Sequence, residues 1–212
     1  LTAFDVDGVA VPYLAESVAP AAEGDYSSWV VTIRQGISFH DGTPVTIDAV
    51  IQGFETQRQD PLVGLAVKPF YPETGAVERI DDFSAKFNLL EPNAYFAGAL
   101  TGQLGYVSSP TWLAAALEDP TLNQKPVGSG PFVFDSRSPD SVTRFVRNDD
   151  WWNGEVYLDA VEFVPVPDAA TRASLLLQGD LNAIQTSDPG AILDLQEDDT
   201  VQMIVDETGE EG

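Results

Sequence analysis

Few residues in this chain have the types and spacing that acid–base, nucleophilic or metal chemistry requires. His40 is the only histidine and cysteine is absent, which excludes a multi-histidine zinc site, thiolate chemistry and disulfides, and argues against a histidine-based triad. His40 itself, in a turn beside Asp41, is expected at the surface. Adjacent carboxylates at Asp81-Asp82 and Asp149-Asp150 do not make a glycosidase-like pair, which needs convergence in one cleft and separated pKa values. We therefore predict no enzyme activity, no metal and no cofactor.

One glycine-rich segment invites comparison with phosphate-binding loops. Gly128-Ser129-Gly130-Pro131-Phe132 lacks the Gly-x-x-x-x-Gly-Lys-Ser spacing, and the strand-like run Phe132-Val133-Phe134 follows it instead of a helix. We interpret the segment as architectural, because its glycines permit a tight backbone path.

The elements that must position any functional residue are clearest between Trp29 and Val50. The alternating, β-branched run Trp29–Ile33 predicts a half-buried strand. Asp41-Gly42 then predicts a turn, and Thr46 can cap a following helix. The apolar residues of that helix fall on one face at helical spacing; they are Ile47, Val50, Ile51 and Phe54.

Further elements follow at short intervals. A hairpin is predicted from Val77–Ile80 and Ala85–Leu89, joined at Asp81-Asp82. Ser109 and Pro110 predict the start of a helix with Leu113, Ala114 and Leu117 on one face. The remaining predictions are strands near Val142–Arg147 and Ala160–Val164, a helix from Asp168 that Gly179 ends, a helix from Asp188-Pro189, and a last strand over Val201–Val205.

Composition and charge limit the class of protein. The 212 residues, 43% hydrophobic and 10% aromatic, suffice for a globular core. No window offers the roughly 20 apolar residues of a membrane span, and no signal peptide is visible, so we interpret the chain as a mature or excised piece. A net charge of −24 disfavours nucleic acid and anionic membrane surfaces as partners. A solvated acidic surface is the simplest interpretation; a saline habitat or a cleft for cationic ligands are alternatives.

Six phrases carry residue identities beyond what a strand, turn or helix requires. In chain order they are Pro12–Ser17, Trp29–Thr46, Val77–Leu89, Gly128–Phe132, Arg147–Trp152 and Val166–Asn182. Together they resemble the large extracytoplasmic solute-binding proteins of the peptide/nickel/dipeptide class, the receptors that deliver ligands to ABC importers. Two local departures are Asn182, at an acidic position of the pattern, and Ile47-Asp48-Ala49, where the family has Ala-Glu-Asp.

Trp151 and Trp152 are either core anchors or a stacking platform for a ligand, and we favour packing.

The same resemblance indicates where a ligand lies. In residues 101–110 the glycines and serines leave little side chain to fill a core, so backbone and hydroxyl groups can face a cavity. In related binding proteins the stretch before this proline borders the cleft. Tyr106, Ser108 and Ser109 are therefore predicted as ligand-binding residues, with an ordinary loop between helices as the alternative.

The resemblance implies an α/β fold of mixed α+β type, like the type II periplasmic binding proteins, in which two lobes enclose the ligand. We expect this chain to be a first-lobe fragment. Residues 1–125 would form the smaller α/β subdomain and residues 126–212 part of the hinge-bearing subdomain, with the second lobe absent from this chain.

The resemblance implies that the protein binds a solute and catalyses no reaction. We expect a substrate-binding component of an ABC importer that captures a peptide or similar small solute outside the cytoplasmic membrane and delivers it to the membrane permease. The location would be periplasmic or at the cell surface, with lipid anchoring as an option. A transport-inactive interaction or scaffold domain with an acidic surface is the alternative. Nickel complexes, sugars and opines are also bound in the family, and a single lobe should bind feebly and expose apolar surface.

Overall fold

The computed structural model describes residues 1–204. The chain divides into two compact units. The first contains Leu1–Ser136 and Arg144–Val161, and the second contains Arg137–Thr143 and the described residues from Glu162 onward. The predicted division at residue 125, between two subdomains of the first lobe of a larger protein, stays a prediction.

The first unit is built on an antiparallel sheet. Strands β1 (Thr2–Phe4) and β2 (Ala10–Pro12) form a separate two-stranded ribbon. The main sheet contains β3 (Ala15–Ala22), β4 (Asp25–Ile33), β5 (Val77–Arg79) and β6 (Ser84–Asn88), in the spatial order β3-β4-β6-β5. The predicted strand at Trp29–Ile33 and the predicted hairpin are confirmed, because β4 covers the first and β5 pairs antiparallel with β6.

The alternation along β4 sets which face of the sheet meets the core. Trp29, Val31 and Ile33 are at most 5% exposed, whereas the residues between them are half-buried. In the register with β6, Trp29 lies opposite Phe87 and Val31 lies opposite Ala85. Side chains on alternate positions of a strand point to the same face, so one face of both strands supplies the wall of the core.

Helix α1 (Ile47–Gln59) covers that face. The Thr46 hydroxyl accepts the Ala49 backbone N–H at 3.2 Å, which confirms the predicted cap. Phe54 stands edge-on to Phe87, with ring centroids 5.1 Å apart. Edge-to-face pairs of this kind stabilise beyond their buried area. The predicted amphipathic helix therefore joins the sheet through aromatic contacts.

The remaining elements of the first unit are short. They are α2 (Val63–Val67), α3 (Phe96–Ala99), α4 (Pro110–Glu118) and 3-10 turns at Lys68–Phe70, Gln103–Gly105 and Pro120–Gln124.

Strands β7 (Phe132–Ser138), β8 (Val142–Arg147) and β9 (Ala160–Phe163) form a three-stranded sheet in that order. The positions predicted for the last two strands are confirmed.

The start of α4 was predicted correctly, but its inward face was not. Among the expected residues, Leu117 is 64% exposed and Ala114 is also exposed. The buried face carries Ala116 with the half-buried Trp112 and Leu113. Trp112 fixes this orientation because its indole N–H donates to the Leu122 carbonyl oxygen at 3.3 Å. Sequence spacing predicted a face with Leu113, Ala114 and Leu117, and the contact of Trp112 turns a different face inward.

The second unit has a small core between two helices. Helix α5 (Ala169–Gln178) begins where the Asp168 carboxylate accepts the Thr171 N–H at 2.8 Å, and ends at Gly179, whose φ of 81° is left-handed. Helix α6 (Pro189–Gln196) follows the cap Asp188. Both predicted helices are confirmed. Their buried contacts come from three residues: Ala173, Ala191 and Leu195.

The last predicted strand, Val201–Val205, is not formed over residues 201–204, and Val205 lies outside the described residues. Within residues 1–204 we find no helix with the length and apolar character that crossing a membrane requires.

Candidate functional site

The predicted ligand segment, residues 101–110, ends at the buried start of α4. Tyr106 is 62% exposed, and its carbonyl oxygen accepts a hydrogen bond from Gln57 Nε2 at 3.2 Å. Ser108 is half-buried and Ser109 is fully buried. The three residues therefore lie in different environments, and their contact with a ligand stays a prediction.

Ser109 caps α4 as predicted, and it also contacts Asp41, which the sequence did not reveal. Its hydroxyl donates to Asp41 Oδ2 at 2.5 Å and accepts the Trp112 backbone N–H at 3.3 Å, which caps α4. The Ser109 backbone N–H donates to the Val127 carbonyl oxygen at 3.0 Å. Because Asp41 and Ser109 are 68 residues apart in the chain, only the fold brings them together. Ser109 thus ties α4 to the Asp-Gly-Thr turn.

The Asp41 carboxylate is the acceptor at the centre of this contact. Burial raises its pKa, but the hydrogen bonds from Ser109 and from the Thr43 hydroxyl and backbone N–H outweigh burial, so the Asp41 pKa lies below its ordinary value of 3.8. The two Thr43 bonds to Oδ1 are 2.7 and 3.0 Å long. Asp41 is therefore an ionised structural anchor at neutral pH.

His40 joins the same turn to the glycine-rich segment. Its backbone N–H donates to the Gly128 carbonyl oxygen at 2.8 Å, and its Nε2 lies 3.0 Å from the Gly130 carbonyl oxygen. A carbonyl only accepts, so Nε2 carries the proton in this contact. The ring is half-buried and its Nδ1 is buried without a partner among the described residues. The expected surface position of His40 is wrong, because the ring packs onto this loop.

The glycine-rich segment is held through its carbonyl groups, not its N–H groups. Gly128 and Gly130 accept from His40 as above. Ser129 O accepts the Trp152 indole N–H at 3.1 Å, and Gly130 O also accepts Asn148 Nδ2 at 3.0 Å. Pro131 O accepts the Asn148 backbone N–H at 2.9 Å. Phosphate cradles present N–H groups to the anion, so this arrangement supports the architectural interpretation.

The adjacent residues Trp151 and Trp152 have packing contacts in the first unit. Trp152 packs against the main core of the first unit, and its ring meets Tyr13 edge-on with centroids 5.3 Å apart. Trp151 lies beside it at 6.3 Å, with its indole nitrogen buried and unpartnered among residues 1–204. These contacts agree with the packing role that we favoured over a stacking platform.

Arg34 is the functional candidate that sequence reasoning missed. Its Nε donates to the Tyr13 carbonyl oxygen at 2.7 Å, and its Cζ lies 5.8 Å from the centre of the Trp152 ring. The signal in the sequence was its place inside the Trp29–Thr46 phrase, in which the sequence analysis gave Arg34 no role.

Two cavities lie in the first unit. An open polar cleft of about 550 Å³ is lined by residues that include Arg34, Glu16 and Trp152. A smaller, more apolar cavity of about 270 Å³ is lined by residues that include Tyr71, Leu89 and Leu104. The residues predicted to bind ligand, Tyr106, Ser108 and Ser109, line neither of them.

The carboxylate pairs considered for acid–base work have local partners. Asp82 pairs with Arg79, and Asp81 accepts the Phe83 N–H at 2.8 Å. Asp149 pairs with Arg147 at 2.8 Å. Over the described part of the chain no group of three or more His, Cys, Asp or Glu side chains is arranged to hold a metal ion. The site residues therefore offer hydrogen bonding and one exposed guanidinium.

Comparison with known proteins places this geometry in a family. Residues 9–212 match the family described as bacterial extracellular solute-binding proteins, family 5. Heme-binding protein A of Haemophilus influenzae is 29% identical over 91% of this chain and 38% of its own length. Di/tripeptide-binding protein 2 of Pseudomonas aeruginosa is 28% identical over 89% of this chain and 38% of its own length.

A solved structure shares the fold. The dipeptide-binding protein from Pseudoalteromonas sp. SM9913, in complex with Met-Leu, superposes with a TM-score of 0.78 at 21% identity, covering 94% of this chain and 43% of that one. The predicted mixed α/β fold of the periplasmic binding proteins is confirmed. The chain spans less than half the length of each of these three proteins, as predicted for a fragment. The family match over residues 9–212 shows that this chain belongs to the bacterial extracellular solute-binding proteins of family 5.

Proposed function

We propose that the protein containing this chain is the substrate-binding component of an ABC importer and captures a peptide or similar small solute outside the cytoplasmic membrane. Family membership over residues 9–212 carries this proposal. The relatives with printed functions are binding proteins for heme and for di- and tripeptides, and none of these names describes an enzyme. The permease in the membrane would then be the partner that receives the solute.

The structure supports this role through the phrases that the family shares. The Asp41 turn, the glycine-rich segment and Trp152 meet at one cluster of hydrogen bonds. Such a cluster fixes the relative position of β4, α4 and β7, which supports a rigid lobe. Closure of rigid lobes on a ligand is a population shift driven by contacts to both sides.

Three finer features belong to the same proposal. Residues 1–125 and 126–212 would be parts of two subdomains in the first lobe. Tyr106 and Ser108 would approach the ligand from this lobe, and Ser109 would act mainly by holding α4 in place. The protein would work in the periplasm or at the cell surface, with a lipid anchor in the second case.

A thermal-shift screen tests the proposal. The gene product, including the sequence that flanks this chain, is tested with dipeptides, oligopeptides, heme, oligosaccharides and nickel chelates. Saturating ligand stabilises a folded protein by RT ln(1 + [L]/Kd), so peptides are expected to raise Tm by several degrees. The 212-residue chain alone should show a far smaller shift, because it can contact only one side of the solute.

The net charge of −24 favours one alternative. An acidic interaction domain would bind a basic protein partner and no small solute. A folded, full-length protein whose Tm does not change with any solute class would contradict the importer proposal and favour this alternative.

A further inference from the structure

Arg34 differs from the other arginines of the first unit in having no carboxylate partner among residues 1–204. Arg58, Arg79 and Arg147 each have a carboxylate oxygen within 2.8 Å. Although the chain has 34 acidic and only 10 basic residues, no ion pair joins Arg34 to a carboxylate among residues 1–204. Its guanidinium charge is therefore available to a ligand.

The Arg34 guanidinium is also held in place. Nε donates to the Tyr13 carbonyl oxygen at 2.7 Å, and the group lies over the Trp152 ring at 5.8 Å. Trp152 is itself fixed by its hydrogen bond to Ser129. The Nη1 and Nη2 atoms make no hydrogen bond within the described part of the chain. These two nitrogens form one edge that can bind both oxygens of a carboxylate.

The cleft around this edge has room for a small ligand. Its volume is about 550 Å³, within the usual range of small-molecule sites, roughly 300–1,000 Å³. Ile37, only 5% exposed, gives it an apolar wall, and Gln35 and Asn153 add amide groups.

Glu16 restricts the chemistry of that ligand. Its exposed carboxylate lines the same cleft, and no ion pair joins it to Arg34 among the described residues. A ligand with a carboxylate and an ammonium group can satisfy both charges. A dianion would be repelled by Glu16 and by the net charge of −24.

We propose that the Arg34–Glu16 cleft is a binding site for a small zwitterionic solute, an amino acid or the end of a short peptide, whose carboxylate binds Arg34. All lining residues belong to the first unit, so the site needs no second lobe. It goes beyond the importer proposal, because it would bind its ligand in the 212-residue chain alone.

The test is a titration of the 212-residue chain at low ionic strength, followed by the NMR signals of its four tryptophan indoles. The probes are L-alanine, propionate, L-alaninamide and inorganic phosphate. L-Alanine is expected to shift the Trp152 indole signal saturably, and propionate to do so more weakly. L-Alaninamide, which lacks the carboxylate, should produce no saturable shift.

Substitutions of Arg34 and Glu16 test whether the ligand binds at these two residues. Arg34→Gln should weaken L-alanine binding by more than roughly tenfold, since the charged donor pair is lost. Glu16→Gln should remove the preference for L-alanine over propionate. The matched control is Arg79→Gln, which changes an exposed arginine that already has carboxylate partners and should leave binding unchanged. Thermal unfolding of each variant verifies that it is folded.

Three results would overturn the proposal: no saturable shift with L-alanine, an equal response to phosphate or L-alaninamide, or unchanged binding in a folded Arg34→Gln variant. If Arg34→Gln does not fold, Arg34→Lys replaces it, and unchanged affinity there would contradict binding through the guanidinium edge. The solute screen of the full-length protein is independent, so either hypothesis can fail while the other stands.

Discussion

Asp41 and Ser109 link two parts of the first unit through side chains alone. The fully buried Ser109 hydroxyl donates to the Asp41 carboxylate, and Asp41 also accepts two hydrogen bonds from Thr43. A buried hydroxyl that loses its partner leaves an unsatisfied group and costs more than the bond itself contributes. Both residues are therefore expected to contribute to stability, and the contribution of Asp41 is expected to depend on pH.

Ser109→Ala is expected to destabilise the 212-residue chain. The substitution removes both the cap of α4 and the donor to Asp41, and losses of this kind cost about 1–2 kcal/mol. Urea unfolding followed by circular dichroism measures the change in the free energy of unfolding. Ser108→Ala is the control, because Ser108 is half-buried, and should stay within about 0.5 kcal/mol of the parent. Equal stability of the two variants would contradict the structural role of Ser109.

The lowered pKa of Asp41 predicts a pH dependence of stability. Burial raises this pKa, but hydrogen bonding lowers it further, so the folded state binds the Asp41 proton more weakly than the unfolded state. The carboxylate then contributes stability above its ordinary pKa of 3.8, and the contribution is lost as pH falls through the lower folded value.

Asp41→Asn isolates this contribution. The variant should be less stable than the parent at neutral pH, and the difference in the free energy of unfolding should shrink as pH falls below 3.8. Unfolding is measured from neutral pH into the acid range for both proteins. A difference that stays constant over this range would show that ionised Asp41 is not the stabilising species.

At the scale of elements, short turns position the site. The 3-10 turn Gln103–Gly105 brings the chain from α3 back towards α1, where Gln57 holds the carbonyl oxygen of Tyr106. A Cβ atom built on Gly105 would stand 1.7 Å from the Leu100 carbonyl oxygen, whereas one on Gly102 would have no atom within 4 Å. The turn therefore requires glycine at one of these positions only.

Gly105→Ala is expected to destabilise the first unit by about 2 kcal/mol or more, because backbone atoms must shift to relieve the overlap. Gly102→Ala is the matched control. Its φ of −87° suits any residue, so its stability should equal or slightly exceed that of the parent. Thermal unfolding of both variants measures these changes in stability. Similar losses of stability in the two variants would contradict the close approach at Gly105.

The glycine-rich segment shows the same dependence on neighbouring elements. Its four carbonyl groups from Gly128 to Pro131 all accept hydrogen bonds from the turn before α1 or from the segment after β8. The sequence predicted an architectural role from the missing phosphate-loop spacing, and the hydrogen bonds that the carbonyl groups accept support that prediction.

At the scale of the whole molecule, the net charge of −24 is expected to affect the stability of the folded chain. Like charges distributed over a compact chain repel each other more than in the expanded unfolded chain, which lowers stability at low ionic strength. Salt shortens the range of this repulsion, from about 30 Å at 0.01 M to about 3 Å at 1 M.

We therefore expect the Tm of the 212-residue chain to rise by several degrees when sodium chloride is raised over the range from about 0.01 M to about 1 M. Most of the rise should occur at the lower concentrations, where screening changes most. Sucrose at matched osmolality is the control, since it is excluded from protein surfaces without screening charge. A Tm that responds equally to sucrose, or not to salt, would contradict self-repulsion as the cause.

The sequence by itself determined many of the local elements and the family. Caps at Thr46, Asp168 and Asp188 and the alternation of β4 were predictable because each depends on residues within one or two turns of chain. The ordered phrases likewise identified the class of fold.

Only the tertiary structure decided how distant residues meet. The bond between Asp41 and Ser109, the packing of His40 onto the glycine-rich segment, and the stacking of Arg34 on Trp152 join residues 68, 90 and more than one hundred positions apart. Local patterns do not encode such contacts, because a side chain finds its partner only after strands and helices have packed. The inward face of α4 likewise depends on a contact beyond the helix, because Trp112 reaches the Leu122 carbonyl oxygen, and the face predicted from spacing was wrong.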